Sequence, residues 1–249
     1  VTAVTAITPW FCAPDEAALP LSAPRLVFEN GFVRNSVTVD PTGLLDDSLY
    51  VASLNTRVQA DVAYDEARCS ALLASRVAAD ASKRPQPTTA ADALPIELRR
   101  RYIFLPTQKS DDLAVTEHSA TNMGALIERT IAFGHAHGVP VVLKIHPHLT
   151  IPERAAQEAL IAGVARRHAR VDRHEVRLSN ASVNYLMKNA RFTVTTNGGT
   201  LMDNFQTQTA VLAVGRSLFM RTDALVQDAN ATRGLHTMLA MNGAWGAER

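Results

Sequence analysis

From Tyr102 to Gly215, short apolar runs alternate with helical patterns, and this alternation constrains the fold more than any other feature of the 249-residue chain. The runs are YIFLPT (102–107), VVLKIH (141–146), EVRLS (175–179), RFTVTT (191–196) and AVLAVG (210–215). Strands that are apolar at nearly every position belong to a sheet covered on both faces, and their alternation with helices predicts parallel pairing through right-handed crossovers. Helical patterns fall between them at 119–137, 152–169, 182–189 and from 199 onward. Met123, Leu126, Ile127 and Ile131 recur at helical spacing, with Gly138 and Pro140 as the stop. Thr150-Ile151-Pro152-Glu153 is a capping box with proline inside the first turn. In such a sheet, ligand chemistry is expected at the carboxyl ends of the strands.

Upstream, Ser82 to Thr89 and the Ala/Asp-rich sequence to Pro95 interrupt the periodicity and predict a linker, dividing the chain into domains 1–95 and 96–249. Within the first domain RLVFEN (25–30) and SLYVASL (48–54) are strand-like, and 64–79 is Ala-rich and helical. Composition excludes several classes. At 47% hydrophobic and 20% charged residues the chain is not disordered, and a net charge of +1 exerts no global pull on nucleic acid. No apolar run approaches the roughly 20 residues that span a bilayer, and the start VTAVTAITPW lacks the basic region of a secretion signal. A cytoplasmic chain is expected. Cys12 and Cys69 are too few and too isolated for a disulfide framework or a zinc site, and Val1 in place of Met fits a processed or excised piece.

Three segments at strand ends carry candidate chemistry. Thr195-Thr196-Asn197-Gly198-Gly199-Thr200-Leu201-Met202-Asp203 leaves a strand and opens a helix, a layout in which free N–H groups and the helix dipole hold a phosphate. It equally describes a tight turn with Thr or Asn capping the helix. Lys144-Ile145-His146-Pro147 ends a neighbouring strand, so Lys144 and His146 belong on the same rim in a parallel sheet, although a capping or core-edge histidine has the same signature. Gln108, Asp111 and Asp112 follow YIFLPT, where Ser110-Asp111-Asp112 is also an ordinary turn or N-cap. In the first domain, Glu29-Asn30-Gly31 either presents a carboxylate at a strand end or marks a hairpin, and local sequence favours the hairpin. His135 and His137 lie two apart on a helix and cannot share a metal. The glycosylation sequons at Asn180 and Asn230 have no use in a cytosolic chain, and no Gly-x-Ser-x-Gly elbow or Cys/His pairing suggests a nucleophilic hydrolase.

In order along the chain, these pieces resemble the bacterial capsule-polysaccharide Kdo transferases, GT-B enzymes that take 3-deoxy-manno-octulosonic acid (Kdo) from CMP-Kdo. The matching segments are Glu29-Asn30-Gly31-Phe32-Val33-Arg34, Gln108 with Asp111 and Asp112, Lys144-Ile145-His146-Pro147, and Thr195 to Thr200 with Asp203. Asp40-Pro41-Thr42-Gly43, Ser182-Val183-Asn184-Tyr185-Leu186 and Thr209 to Phe219 add to the similarity. The resemblance implies a GT-B-like α/β fold of two Rossmann-like lobes with a central cleft, the N-terminal lobe short or incomplete. It implies that His146 and Thr196, Asn197, Gly198, Gly199 and Thr200 hold the CMP phosphate, that Lys144 adds charge, that Gln108 joins the donor site, and that Asp203 binds the ribose. Arg34 would pair with the sugar carboxylate.

In the retaining branch of that family the residue at position 30 is an Asp acting at the anomeric carbon; here it is Asn30, which is neither an anionic nucleophile nor a base. Either an isosteric change has been introduced there, or the protein is inactive, or Glu29 acts instead. The implied partners are CMP-Kdo as substrate and a capsule or lipopolysaccharide glycan as acceptor, with no metal, no cofactor and no nucleic acid, and possible peripheral association with the inner membrane or a larger synthase. A sialyltransferase-like enzyme and a silent CMP- or glycan-binding module are the alternatives.

Overall fold

The computed structural model describes residues 6–9, 25–30, 37–42, 48–49, 66–82, 85–87, 94–168, 175–197, 200–216, 225–228 and 230–245. The chain divides into two compact units, Val1–Leu72 and Leu73–Arg249.

In the first unit, β1 (Ala6–Pro9), β2 (Arg25–Asn30) and β3 (Val37–Asp40) form a sheet in that order. β1 runs parallel to β2, while β2 and β3 are antiparallel, with Glu29 opposite Thr38 and Asn30 opposite Val37. The Asn-Gly signal therefore marks a hairpin, its connection running through residues 31–36. Asp40 ends β3 and is buried. Its Oδ1 accepts from the Thr42 N–H (2.8 Å) and hydroxyl (2.7 Å), and its Oδ2 accepts from Ser48 Oγ (2.6 Å), so the Asp-Pro-Thr segment is a self-capped turn. Ser48 and Leu49 lie outside any strand, and the rest of the strand-like run 48–54 is outside the described residues.

The second unit begins within α1 (Glu66–Ala78) and is built on a six-stranded, wholly parallel sheet. Its strands are β4 (Ile103–Pro106), β5 (Val141–Lys144), β6 (Val176–Leu178), β7 (Phe192–Thr195), β8 (Val211–Ala213) and β9 (Leu225–Gln227). The spatial order β6-β5-β4-β7-β8-β9 is the Rossmann arrangement, in which strand order reverses between the first and fourth strands of the unit, here β4 and β7. Helices α2 (Leu113–Thr116), α3 (Met123–His137), α4 (Ile151–His168), α5 (Val183–Lys188), α6 (Thr200–Thr207) and α7 (Ala231–Trp245) supply the connections and the cover.

Alternation along β4 divides the core. Ile103 and Leu105 face the layer containing α3, α4 and α7, with Leu126, Ile127, Ile161, Val164 and Leu235. Tyr102 and Phe104 face the opposite layer, with Leu94, Leu98, Leu186 and Leu201. Tyr102 inserts its hydroxyl to donate to Leu186 O (2.6 Å), and burial pushes its phenol far up. The central strands β4, β5, β7 and β8 bury both faces, as their unbroken apolar runs predict.

Three details differ from the sequence reading. α3 starts at Met123, because Asn122 is its N-cap and accepts the Ala125 N–H at 2.8 Å. β9 and α7 complete the sheet beyond Gly215, with Ala231, Leu235 and Met238 spaced to face the core. The boundary falls between Leu72 and Leu73 and not after residue 95. Described residues of the Pro- and Ser-containing stretch are docked: Gln86 Oε1 accepts from the Val183 N–H (2.9 Å), Ser82 Oγ donates to Asp203 (2.9 Å), and Leu94 enters the core, as does Leu98 just beyond it.

Candidate functional site

The carboxyl ends of β4, β5 and β7 converge where strand order reverses, the place where a Rossmann sheet leaves a crevice. β4 hands over to Thr107 and Gln108, β5 to Ile145 and His146, β7 to Thr196 and Asn197. One hydrogen-bonded network ties these residues together. Gln108 Nε2 donates to Asn197 O at 2.9 Å, and Thr196 Oγ1 donates to Gln108 Oε1, so one carboxamide clasps the two strands on either side of the reversal. Thr107 Oγ1 donates to Gln157 Oε1 (2.7 Å) and accepts the His146 N–H (3.1 Å), while Gln157 Nε2 donates to Gln108 O (3.4 Å).

His146 is half-buried, and its Nδ1 accepts the His148 N–H at 3.3 Å. The neutral imidazole therefore carries its proton on Nε2. Asn197 has no exposed surface, and its Nδ2 donates to Ala114 O (2.9 Å) and Arg216 O (3.1 Å). Thr195 Oγ1 and Asn197 Oδ1 are buried without a hydrogen-bond partner. Gly215 makes this approach possible: a Cβ there would lie 2.8 Å from Thr196 O, 2.9 Å from His118 O and 3.0 Å from Asn197 Nδ2. A cavity of about 350 Å³ opens beside the network between α3 and α4, bordered by Ser110, Asp111, Leu149, Glu153 and Gln157.

Of the residues singled out in the sequence, Gln108, His146, Thr196 and Asn197 share this edge, and Thr200 opens α6 just beyond it. Lys144 is also on the rim, but its Nζ donates to Asn180 O (3.0 Å) and Ala181 O (2.7 Å) across the neighbouring β6–α5 loop. Asp112 caps α2 by accepting the Ala114 N–H (2.9 Å), and Asp111 lies 3.5 Å from the Lys109 ammonium, so both follow the ordinary turn reading. Asp203 differs from the ribose-binding expectation. It is 3% exposed, and its carboxylate accepts from Ser82 Oγ (2.9 Å) and Gln206 Nε2 (3.4 Å). Burial pushes its pKa up to about 7, opposed by the Ser82 hydrogen bond and the Arg76 charge.

Glu29 and Asn30 are in the β2–β3 ladder of the first unit. Arg34, Gly198 and Gly199 lie outside the described residues. Thr107, Gln157 and Gly215 were not singled out in the sequence. Thr107 closes the YIFLPT run and Gly215 the AVLAVG run, and that terminal position was the available signal.

No protein-family model matches the sequence, and no curated protein matches it. Two solved structures match over 93% of this chain. KpsC of Thermosulfurimonas dismutans as a beta Kdo 2,7 transferase aligns at TM-score 0.61 and 14% identity over 74% of that chain. KpsC of the same organism as a beta Kdo 2,4 transferase aligns at TM-score 0.60 and 16% identity over 78% of that chain. The chain has the KpsC fold. The six parallel strands described above are thus part of an α/β architecture that those two transferases share, and at these identities the likeness is one of fold.

Proposed function

We propose that the protein is a glycosyltransferase that moves Kdo from CMP-Kdo to a capsule or lipopolysaccharide glycan with retention of configuration, and that CMP occupies the carboxyl edge of the second unit. The observation that carries the reading is the clasp of Gln108 on Thr196 and Asn197 at the strand-order reversal, with His146 joined to it through Thr107 and Gln157.

In that reading the Nε2–H of His146 and the amino end of α6 face the phosphate. When the bond between the anomeric carbon and the phosphate oxygen breaks, its electron pair stays with CMP. Donors fixed beforehand around that oxygen stabilise the growing charge more than they stabilise the ground state. The network supplies that fixity, since Thr107 holds the His146 backbone and Gln108 holds the β7 end. Lys144 contributes charge at the rim and Asp203 supports α6 from inside.

CMP and CMP-Kdo should raise the melting temperature while UDP-sugars do not, and stabilisation by UDP-sugars alone would reject the donor assignment. His146→Ala should reduce transfer about a hundredfold, the scale of losing one such donor. Asn30 motivates a second reading, a silent CMP- or glycan-binding module. Asn30→Asp should create or restore transfer in the first reading; CMP binding without any gain in transfer selects the second.

A further inference from the structure

A larger concavity of the second unit is at the other end of the sheet. It measures about 1140 Å³ and lies between the amino ends of β4, β5, β7 and β8. Four cations border it, Arg100, Arg101, Lys188 and Arg191, against one acid, Glu97. Arg100, Arg101 and Lys188 are exposed and Arg191 is half-buried. Among the described residues, none of these four side chains has a hydrogen bond or ion pair. Elsewhere on the same unit some cations are paired, Arg167 with Glu128 at 2.8 Å and Arg233 with Asp228 at 2.7 Å. Like charges gathered in a concavity repel one another and focus their field on whatever enters it, so the arrangement is relieved by an anion.

The backbone supplies an independent observation. Leu98 to Arg101 is a type II turn: Arg99 has φ −58° and ψ 129°, Arg100 has φ +59°, and the Arg101 N–H donates to Leu98 O at 3.0 Å. The third position of such a turn favours Gly or Asn, and a long side chain there costs about 1 kcal/mol. The Arg100 N–H also donates to Asn189 O (2.5 Å), binding the turn to the segment that carries Lys188 and Arg191. A guanidinium is kept where the backbone prefers glycine, and it is kept beside three other unpaired cations. A strained residue of that kind points to a function for its side chain.

We propose that this concavity is a second ligand site, for a phosphate-bearing anion, supplied free in solution or as the headgroup of an anionic lipid. It is independent of the donor site proposed above, because the two occupy opposite ends of β4.

The test uses the full chain with two probes, inorganic tripolyphosphate by titration calorimetry and vesicles of phosphatidylcholine with or without phosphatidylglycerol by sedimentation. Arg100→Gly and Arg191→Gln are compared with the parent, and CMP binding and melting temperature are followed in each. Parent protein should bind tripolyphosphate, or pellet only with phosphatidylglycerol vesicles, and either variant should weaken that binding roughly tenfold or more. Arg100→Gly should leave the melting temperature unchanged or raised, because glycine relaxes the positive φ, and both variants should bind CMP as before. Tripolyphosphate binding without vesicle binding identifies a free ligand; the converse identifies a lipid headgroup. The proposal is overturned if neither probe binds, if both variants bind like the parent, or if CMP displaces tripolyphosphate. Loss of CMP binding in the parent, with tripolyphosphate still bound, would fault the donor reading alone.

Discussion

The two edges of the six-stranded sheet are opposites in chemistry. At the carboxyl edge, Thr107, Gln108, Thr196 and Asn197 are neutral, mostly buried and tied into one network, Thr107 through Gln157, so their geometry exists before any ligand arrives. At the amino edge, Arg100, Arg101 and Lys188 are charged and exposed, and their side chains are bonded to nothing in the described structure. An edge of the first kind discriminates by shape and donor placement. One of the second kind responds to charge, and its interactions weaken as salt screens them. The contrast teaches that the two ends of one parallel sheet can differ in chemistry, because its polar strand ends face two separated environments.

The largest expected effect tests how strictly the carboxyl side excludes charge. Asp203, in the first turn of α6, has its pKa raised by burial from 3.8 to about 7, so between those values the folded state holds a proton that the unfolded state releases. Stability should therefore fall as pH rises from about 4 to about 7, by an amount on the order of 3 kcal/mol. Asp203→Asn should flatten that slope in urea denaturation at stepped pH; an unchanged slope would mean the carboxyl group is not held as described. Next comes Gly215→Ala, whose methyl would press on two backbone oxygens that cannot swing aside. It should cost about 2–3 kcal/mol of stability and weaken CMP binding with it, both readable from denaturation with and without CMP.

Gln108→Ala should cost about 1–2 kcal/mol, because it strands the Thr196 hydroxyl and the Asn197 carbonyl at the reversal point. A loss of CMP affinity larger than the loss of stability would sharpen the contrast, since it would show that the clasp sets donor geometry. The smallest effect is expected at the other edge. Lys188→Ala should change stability by less than about 0.5 kcal/mol. A larger destabilisation in the melt would break the comparison by showing that the amino-edge cations support the fold.

Much of the second unit was legible because its signals are local and repeated. Apolar runs at 102–107, 141–146, 191–196 and 210–215 each became a central strand, and the capping box at Thr150 formed as written, with the Thr150 N–H donating to Glu153 at 2.6 Å. Residues at the ends of those runs were bound to share a rim once the strands were parallel. At 82–95 the contacts of the described residues were not legible, because Pro and Ser report backbone habit, not docking. Ser82, Gln86 and Leu94 meet partners such as Asp203, 121 residues beyond Ser82. The Arg100 strain was equally hidden, since an Arg-Arg-Arg run reads as a solvated surface until its φ is known.

Sequence alone determined the central strands of the second unit, most of its helices, their alternation and hence which residues stand at the carboxyl edge, because hydrophobic periodicity and capping act within a few residues. Only tertiary structure decided how those residues are used. It joined Gln108 to Asn197 across 89 residues, turned Lys144 toward carbonyls of the next loop, buried Asp203 and left the amino-edge cations without partners. Hydrogen bonds and desolvation depend on what lies within a few ångströms in space, and that neighbourhood exists only after the sheet has closed.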